Sequence, residues 1–174
     1  LGAKSVLGFD ARDVNIRKAQ LVQAQTGTEN VSFQVDNVFD LSPVRHGTYE
    51  LVLCLGLMYH LEDPMGALRR LRSVTSEICV IDTEVARAGA PIEIERGPKV
   101  GVVATQEAIA VIAEPEFQWN PLNSVTGISL VPNLAALKAM LRHAGFRDVT
   151  LADAPADGAD RYVTGDRVVL VAHV

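Results

Sequence analysis

The first half of the chain alternates between short β-branched apolar runs and longer segments whose apolar residues recur at helical spacing. This alternation predicts βαβ units, in which parallel strands form one sheet and helices cover its faces. The apolar runs predict strands at residues 5–9, Val31–Val35, Tyr49–Leu55 and 77–83. We therefore expect an α/β fold with a mostly parallel sheet, in a single domain that spans residues 1–174.

Helix capping signals divide the chain further. Three helices are expected to begin at a capping side chain, with a glycine ending the first and the third. These signals are Asp13 and Gly27, the Asp63-Pro64 pair, and Asn133 and Gly145. Each helix would carry an apolar face that packs against the sheet.

The segment 86–132 breaks this regular pattern, because prolines and glycines interrupt it and no period is sustained. We interpret it as an insertion or lid, with a helix at about residues 105–113. Beyond it, the runs at 147–151 and 167–174 predict two strands that close the sheet as an antiparallel hairpin.

Charge and apolar content disfavour two classes of partner. Sixteen Lys and Arg residues oppose 21 Asp and Glu residues, and the resulting net charge of −5 disfavours binding to a phosphate backbone such as that of tRNA. No apolar run reaches the roughly 18 residues that a membrane span needs. We expect no membrane association.

The cysteines and acidic residues bear on metal binding and location. Cys54 and Cys79 lie within apolar runs without metal-ligand spacing, which favours buried, reduced thiols and a cytoplasmic location. No metal is expected, because the glutamates of the insertion lack ligand spacing with any histidine. These glutamates are Glu93, Glu95, Glu107 and Glu114.

Two aspartates follow the first two predicted strands. A carboxylate at Asp10 is suited to accept hydrogen bonds from two vicinal ribose hydroxyls, although a turn or capping role is the alternative. Asp36 is suited to accept from the exocyclic amine of a purine, with the amides of Asn37 and Val38 at its ring nitrogens. Because parallel strands end at one edge of a sheet, the pair predicts an adenosine site.

His60 follows the third predicted strand, in the sequence GLMYHLEDP. A histidine at this edge can act as a general base near neutral pH, and the alternative is that it caps the helix beginning at Asp63. Tyr59 is interpreted as a wall of the same pocket. No functional role is predicted for His46, His143 or His173.

These motifs together resemble a known enzyme family. VLGFDA, VDNVFDL, YELVLCLGLMYHLEDPMGALRRL and VPNLAALKAMLRHAGF, in this order and spacing, are similar to the class I S-adenosylmethionine-dependent methyltransferases. The block LGLMYHLEDP is most similar to the branch that contains the tRNA wobble-uridine carboxymethyltransferases. The resemblance implies a Rossmann-like methyltransferase sheet and S-adenosylmethionine as cofactor.

The resemblance also implies a role for individual residues. Asp10, with Ala11 beside it, would hold the cofactor ribose, and Asp36, Asn37 and Val38 would hold adenine. The methionine moiety would pass along Cys54 to Gly56. Apart from the resemblance, we expect the insertion to supply the substrate wall, with Trp119, Asn123 and Asn133 as pocket residues; the alternative is that these three are ordinary core and cap residues. Tyr59 is a further candidate for the pocket wall.

One part of the family pattern is not found in this sequence. The glycine-rich end of the family's first strand would stand before Leu1, so we expect an N-terminally incomplete domain whose first strand is missing. The sheet would then have a gap with unpaired backbone and exposed apolar surface.

Three functions are carried forward from the sequence. The first is methyl transfer to an oxygen or nitrogen nucleophile of a small molecule, with His60 as the base. The second is modification of the tRNA wobble uridine. The third is a non-catalytic, methyltransferase-like binding domain.

Overall fold

The structure is a computed structural model that describes residues 2–95, 102–115, 123–154 and 160–174. Its first unit is a βαβ unit, in which the parallel strands β1 (Val6–Asp10) and β2 (Val31–Val35) are connected by helix α1 (Asp13–Thr26). The register pairs Asp10 with Val35. The ends of these two strands therefore lie side by side, as the sequence predicted.

A second unit follows through a short connection. A 3-10 helix at Val38–Asp40 and helix α2 (Pro43–His46) lead to strand β3 (Tyr49–Leu55), then a 3-10 turn at Met58–His60. Helix α3 (Pro64–Val74) and strand β4 (Thr75–Glu84) complete it, and β3 and β4 are parallel. This unit carries the loop that contains His60.

The insertion is built from strands in its described part. It contains β5 (Ile92–Glu95), β6 (Val102–Thr105), β7 (Ile109–Ala113) and β8 (Ile128–Pro132), paired antiparallel as β5 with β6 and β7 with β8. The helix expected at 105–113 is therefore wrong. The β-branched residues Ile109, Val111 and Ile112 favour an extended strand, and β8 supplies the hydrogen-bonding partner.

The carboxyl-terminal part completes the sheet. Helix α4 (Leu134–Ala144), strand β9 (Val149–Leu151), helix α5 (Asp160–Val163) and strand β10 (Arg167–His173) follow in order. The four-stranded sheet has the order β3-β4-β10-β9, with β10 antiparallel to both of its neighbours. The predicted α/β class, with parallel strands and an antiparallel carboxyl-terminal hairpin, is confirmed.

The helix caps agree with the sequence except at the first helix. Asp63 and Asn133 accept hydrogen bonds from the amides of Gly66 and Ala136, and cap α3 and α4 as predicted. Asp13 does not cap α1, because it is already the first helical residue and Arg12 holds the cap position. The turn before α1 instead uses Asp10, whose carboxylate accepts from the Arg12 amide.

One apolar core joins the sheet to helices α3 and α4. Its most deeply buried members, each at most 2% exposed, include side chains of both helices and of β4 and β10, among them Leu68, Leu71, Ile81, Leu137, Leu141 and Leu170. Cys54 and Cys79 are free and buried in the same core, as expected. Burial raises the pKa of both thiols, which keeps them protonated.

The two parallel units do not share a hydrogen-bonded ladder within the described residues. Along the outer edge of β3, Leu51, Leu53 and Leu55 are each more than half exposed.

Two further observations bear on the sequence analysis. None of the helices in the described residues combines the length and apolar composition that crossing a bilayer requires. Within the same residues, no group of three His, Cys, Asp or Glu side chains is arranged to hold a metal ion.

Candidate functional site

Asp10 ends β1 with its carboxylate partly occupied by neighbouring groups. The Arg12 amide donates to Oδ1 at 2.7 Å, and the Asn15 side-chain amide donates to Oδ2 at 3.1 Å. These bonds orient the carboxylate and reproduce the turn role that the sequence left open. Because each carboxylate oxygen can accept a second hydrogen bond, capacity remains for two donors from a ligand. The half-buried Asp10 thus has a turn role and keeps free acceptor capacity, and its predicted role as a ribose ligand stays a prediction.

Asp36 follows β2 and lies directly beside Asp10. Its backbone amide donates to the carbonyl of Asp10 at 3.1 Å, so the two predicted ligand residues are linked through the main chain. The Asp36 residue is 8% exposed. Its carboxylate accepts from the Asn37 amide at 2.8 Å, which is one of the two amides assigned to the purine ring. Val38, the other, is a buried residue of the following 3-10 helix.

A histidine that the sequence analysis left without a role completes the surroundings of Asp36. His46 Nε2 lies 2.9 Å from Asp36 Oδ2, and Arg45 approaches the same oxygen at 3.1 Å. The hydrogen bond from His46, the Asn37 amide and the charge of Arg45 together lower the pKa of Asp36, against an opposing effect of burial. The carboxylate is therefore ionised near neutral pH.

The end of β3 turns sharply at Gly56. Its φ of +66° is a left-handed conformation that favours glycine, and its amide donates to the carbonyl of Asp82 on β4 at 2.8 Å. A Cβ at this position would lie 3.4 Å from an Arg167 side-chain nitrogen. The turn is thus fixed to the neighbouring strand, with little room for a side chain.

A polar cluster lies beside this turn and contains Asp82, Arg167, Tyr162 and Tyr59. Of these residues, only Tyr59 was predicted from the sequence. Arg167 donates to both oxygens of Asp82, at 2.8 and 3.2 Å. The Tyr162 hydroxyl also bonds to the Asp82 carboxylate. The Arg167 guanidinium carbon lies 5.7 Å from the Tyr59 ring centroid and 5.9 Å from that of Tyr162, within range of cation–π attraction. The cluster fixes Tyr59 against the sheet edge.

His60 lies next to this cluster in the 3-10 turn that follows β3. Its ring centroid is 4.1 Å from that of Tyr59. The buried Nδ1 has no hydrogen-bond partner among the described residues. The helix-capping alternative is not realised, since Asp63 itself caps α3.

The surroundings of His60 favour its neutral form. Burial lowers its pKa below the ordinary value of 6.5, and Arg12 and Arg167 lower it further, whereas Glu114 and Glu84 oppose the shift. A neutral imidazole nitrogen without a partner is able to accept a proton from a ligand.

A cavity of about 320 Å³ opens beside His60. It lies between the loops at the carboxyl ends of β3 and β4 and the strands β7 and β8. Its walls are Tyr59, His60, Glu84, Val85, Ala86, Ala110, Ile112, Glu114 and Val131. A mainly apolar wall with a few polar groups is typical of a small-molecule pocket.

The two carboxylates of this cavity are held differently. Glu84 forms an ion pair with Arg161 at 2.6 Å. Glu114 accepts from the Ser124 amide at 2.6 Å and from the Ser129 hydroxyl at 2.9 Å. These hydrogen bonds hold the Glu114 carboxylate at the cavity and connect the end of β7 to the residues around β8.

The remaining predicted residues are distributed around this region. Asn123 accepts from the Arg12 guanidinium through its carbonyl at 2.8 Å, which joins the insertion to the turn after Asp10. Asn133 is 1% exposed and uses its side chain internally, capping α4 and donating to the Gln106 carbonyl at 2.7 Å. Ala11 is exposed beside Asp10. Trp119 lies outside the described residues.

Comparisons with known proteins agree with the predicted resemblance. Residues 1–77 match the family model described as a methyltransferase domain. The tRNA U34 carboxymethyltransferase of Desulforapulum autotrophicum is 23% identical over 148 residues, which cover 85% of this chain and 39% of that protein. The chain therefore spans about two fifths of the length of this curated relative.

Solved structures extend the similarity to the fold. The N-terminal domain of EvdMO1 with SAH bound aligns with a TM-score of 0.72 and 22% identity, over 98% of this chain and 65% of that one. Magnesium protoporphyrin IX methyltransferase from Synechocystis PCC 6803 with bound SAM aligns with a TM-score of 0.54 and 16% identity, over 97% and 59%.

Proposed function

The chain has the class I S-adenosylmethionine-dependent methyltransferase fold, and from this premise we propose that the protein transfers a methyl group from S-adenosylmethionine to a small molecule. The nucleophile is an oxygen or nitrogen of the acceptor. The observation that carries the proposal is His60, which lines a cavity of about 320 Å³ near the Gly56 turn and whose Nδ1 has no hydrogen-bond partner among the described residues.

The described residues fit the cofactor at the ends of the first three strands. Asp10 retains acceptor capacity for two ribose hydroxyls, and Asp36, joined to it by a backbone hydrogen bond, offers an acceptor for the adenine amine. The methionine moiety would pass along Cys54 to Gly56. When bound, the cofactor supplies a methyl group on a positively charged sulfur.

The protein's own residues orient the acceptor and remove its proton. The apolar walls around Ala86, Ala110 and Val131 offer a surface against which the carbon skeleton of the acceptor packs. His60 Nδ1 accepts the proton of the attacking hydroxyl or amine, for which its lowered pKa keeps it neutral. Alignment of acceptor and methyl group supplies the rest of the rate enhancement.

Two observations favour a small acceptor over a nucleic acid. The cavity carries the charge of Glu114, and the whole chain has a net charge of −5, so a phosphate-bearing ligand would be repelled. A second structure of the EvdMO1 domain was determined in the presence of SAH and D-fucose. A neutral sugar hydroxyl is accordingly the first acceptor class to test.

A second candidate function is modification of the tRNA wobble uridine. It is supported by relatives named tRNA U34 carboxymethyltransferase that match 83% to 85% of this chain. The net charge of −5 disfavours this second candidate, because tRNA binding requires a basic surface.

The test uses S-adenosylmethionine labelled in its methyl group. We expect saturable binding of the cofactor in a calorimeter, and label transferred to a neutral sugar in a panel that also contains unmodified tRNA. Label in the tRNA would favour the second candidate. Absence of cofactor binding would favour the third reading, a methyltransferase-like binding domain.

A further inference from the structure

The most complete polar network outside the His60 cavity surrounds the Asp36 carboxylate. The side chains of Asp36 and His46 are 4% and 2% exposed, so both partners of this hydrogen bond are removed from water. Gln34 adds a weaker contact to the same Oδ2 at 3.3 Å. Burying an ionised carboxylate is favourable only when its hydrogen bonds are satisfied, which makes this arrangement costly to disturb.

The hydrogen on His46 Nε2 can be assigned from its contact with Asp36. Nδ1 lies 3.2 Å from the Ser42 amide and 3.3 Å from the Ser42 carbonyl oxygen, whereas Nε2 faces the Asp36 carboxylate, which is ionised and can only accept. Nε2 then carries the hydrogen and donates to the ionised Asp36 Oδ2 at 2.9 Å. Ser42 is the N-cap of α2 and His46 its last residue, so the helix holds the ring in place.

The two carboxylate oxygens are consequently unequal. Oδ2 faces His46, Arg45 and Gln34, which together use its acceptor capacity. Oδ1 accepts only from the Asn37 amide among the described residues, at 2.8 Å. One acceptor direction on Oδ1 therefore remains for a donor outside this network.

We propose that His46 is a positioning residue that makes the cofactor site selective for a 6-amino purine over a 6-oxo purine. The inference rests on the proposed cofactor binding at Asp36. With Oδ2 held by His46, Oδ1 is fixed as an acceptor that receives a hydrogen bond from the 6-amino group of adenine. A 6-oxo group at this point would bring two acceptors together and leave both unsatisfied.

The experiment compares S-adenosylhomocysteine with S-inosylhomocysteine, whose purine has an oxo group in place of the 6-amino group and a hydrogen on the adjacent N1. Because the N1 change is the same for every protein variant, the change in the binding ratio between variants reports on His46. We expect the wild-type protein to bind the first at least about tenfold more tightly, the scale of a hydrogen bond to a charged acceptor. His46→Phe should reduce this ratio to about threefold or less. His46→Gln, which keeps a side-chain N–H donor, should restore part of it, and His143→Gln on the exposed face of α4 should leave it unchanged.

Each outcome separates the inference from the proposed function. If wild-type protein binds neither ligand, the proposed function fails. If it binds S-adenosylhomocysteine but His46→Phe retains the wild-type ratio, the positioning role of His46 is refuted and cofactor binding stands. A general loss of packing would weaken both ligands equally and leave the ratio intact, which would also count against the role.

A measurement on unaltered protein covers the case in which His46→Phe does not fold. Nitrogen-15 NMR of the histidine side chains should find His46 with its hydrogen on Nε2, with and without S-adenosylhomocysteine. A hydrogen carried only on Nδ1 would be incompatible with donation to Asp36 and would overturn the proposal.

Discussion

The backbone amide of Asp36 donates a hydrogen bond to the carbonyl of Asp10 across 3.1 Å. The two residues whose carboxylates the sequence assigned to one nucleoside are thus joined through the main chain. Because β1 and β2 are paired in parallel up to Asp10 and Val35, any movement of one strand end shifts the other. The proposed ribose and adenine contacts therefore belong to one hydrogen-bonded corner of the sheet.

Removal of the Asp10 carboxylate should weaken cofactor binding. We expect Asp10→Ala to cost about 1.5 to 3 kcal/mol of binding free energy for S-adenosylmethionine, as for a charged hydrogen-bonding partner. Calorimetric titration measures the change. Asp13→Ala, at the exposed first position of α1, is the matched control and should bind as the wild type does. An unchanged dissociation constant in Asp10→Ala would remove this residue from the site.

Replacement of His60 should affect the rate and spare cofactor binding. We expect His60→Asn to lower methyl transfer by about two to four orders of magnitude, because a general base acts in the transition state. The wild-type rate should rise with pH below 6.5, since the pKa of His60 is lowered from that value, and level off near neutrality. The rise should vanish in the variant. Wild-type turnover by His60→Asn would return this residue to a structural role.

Glu114 should control the protonation of His60. Its carboxylate favours the charged imidazole, so Glu114→Gln is expected to lower the pKa of His60 further. An NMR titration of the His60 ring measures this shift, and Glu29→Gln on the surface is the control. A higher or an unchanged pKa of His60 in Glu114→Gln would contradict the proposed proximity of the two groups.

The lowered pKa of His60 also predicts how stability depends on pH. The unfolded chain takes up a proton on this residue near pH 6.5, whereas the folded protein does so only at lower pH. The free energy of unfolding should therefore decrease as the pH falls from 6.5 through the folded pKa. Denaturant melts at several pH values test this, and the decrease should be absent in His60→Asn.

The Arg167–Asp82 pair should contribute to stability where a surface pair does not. Arg167→Met removes the two bonds that hold the Asp82 carboxylate, at 18% side-chain exposure, and should cost about 1 to 3 kcal/mol. Arg87→Met is the matched control, because Arg87 bonds to Asp166 in the same two-point manner but is 84% exposed. It should change the unfolding free energy little. Equal losses in the two variants would refute the distinction.

Local sequence determined most of the element boundaries. Asp63 before Pro64, and Asn133 four residues before Leu137, provide the capping oxygen within their own helix turn, so the structure follows from neighbouring residues. Gly27 and Gly145 end their helices with φ values of +64° and +106°, a conformation that glycine adopts without a steric penalty. The parallel strands were equally readable from their β-branched runs.

Local patterns were insufficient where pairing partners lie far apart. The sequence at 105–113 predicted a helix, but Thr105 ends β6 and residues Ile109–Ala113 pair with Ile128–Pro132, so the distant strand decides the structure. Asp13 has the residue type of a cap, yet the turn formed by Asp10 and Arg12 moves the start of α1.

By itself, the sequence determined the α/β order, the caps of α3 and α4 and the positions of Asp10, Asp36 and His60 at strand ends. These features depend on residues within a few positions of one another. Only the tertiary structure decided three contacts between separate elements. They are the hydrogen bond of His46 to Asp36, the proximity of Glu114 to His60 and the hydrogen bonds of Arg167 to Asp82. Those contacts join separate elements, and their strength comes from burial and distance, which exist only once the chain has folded.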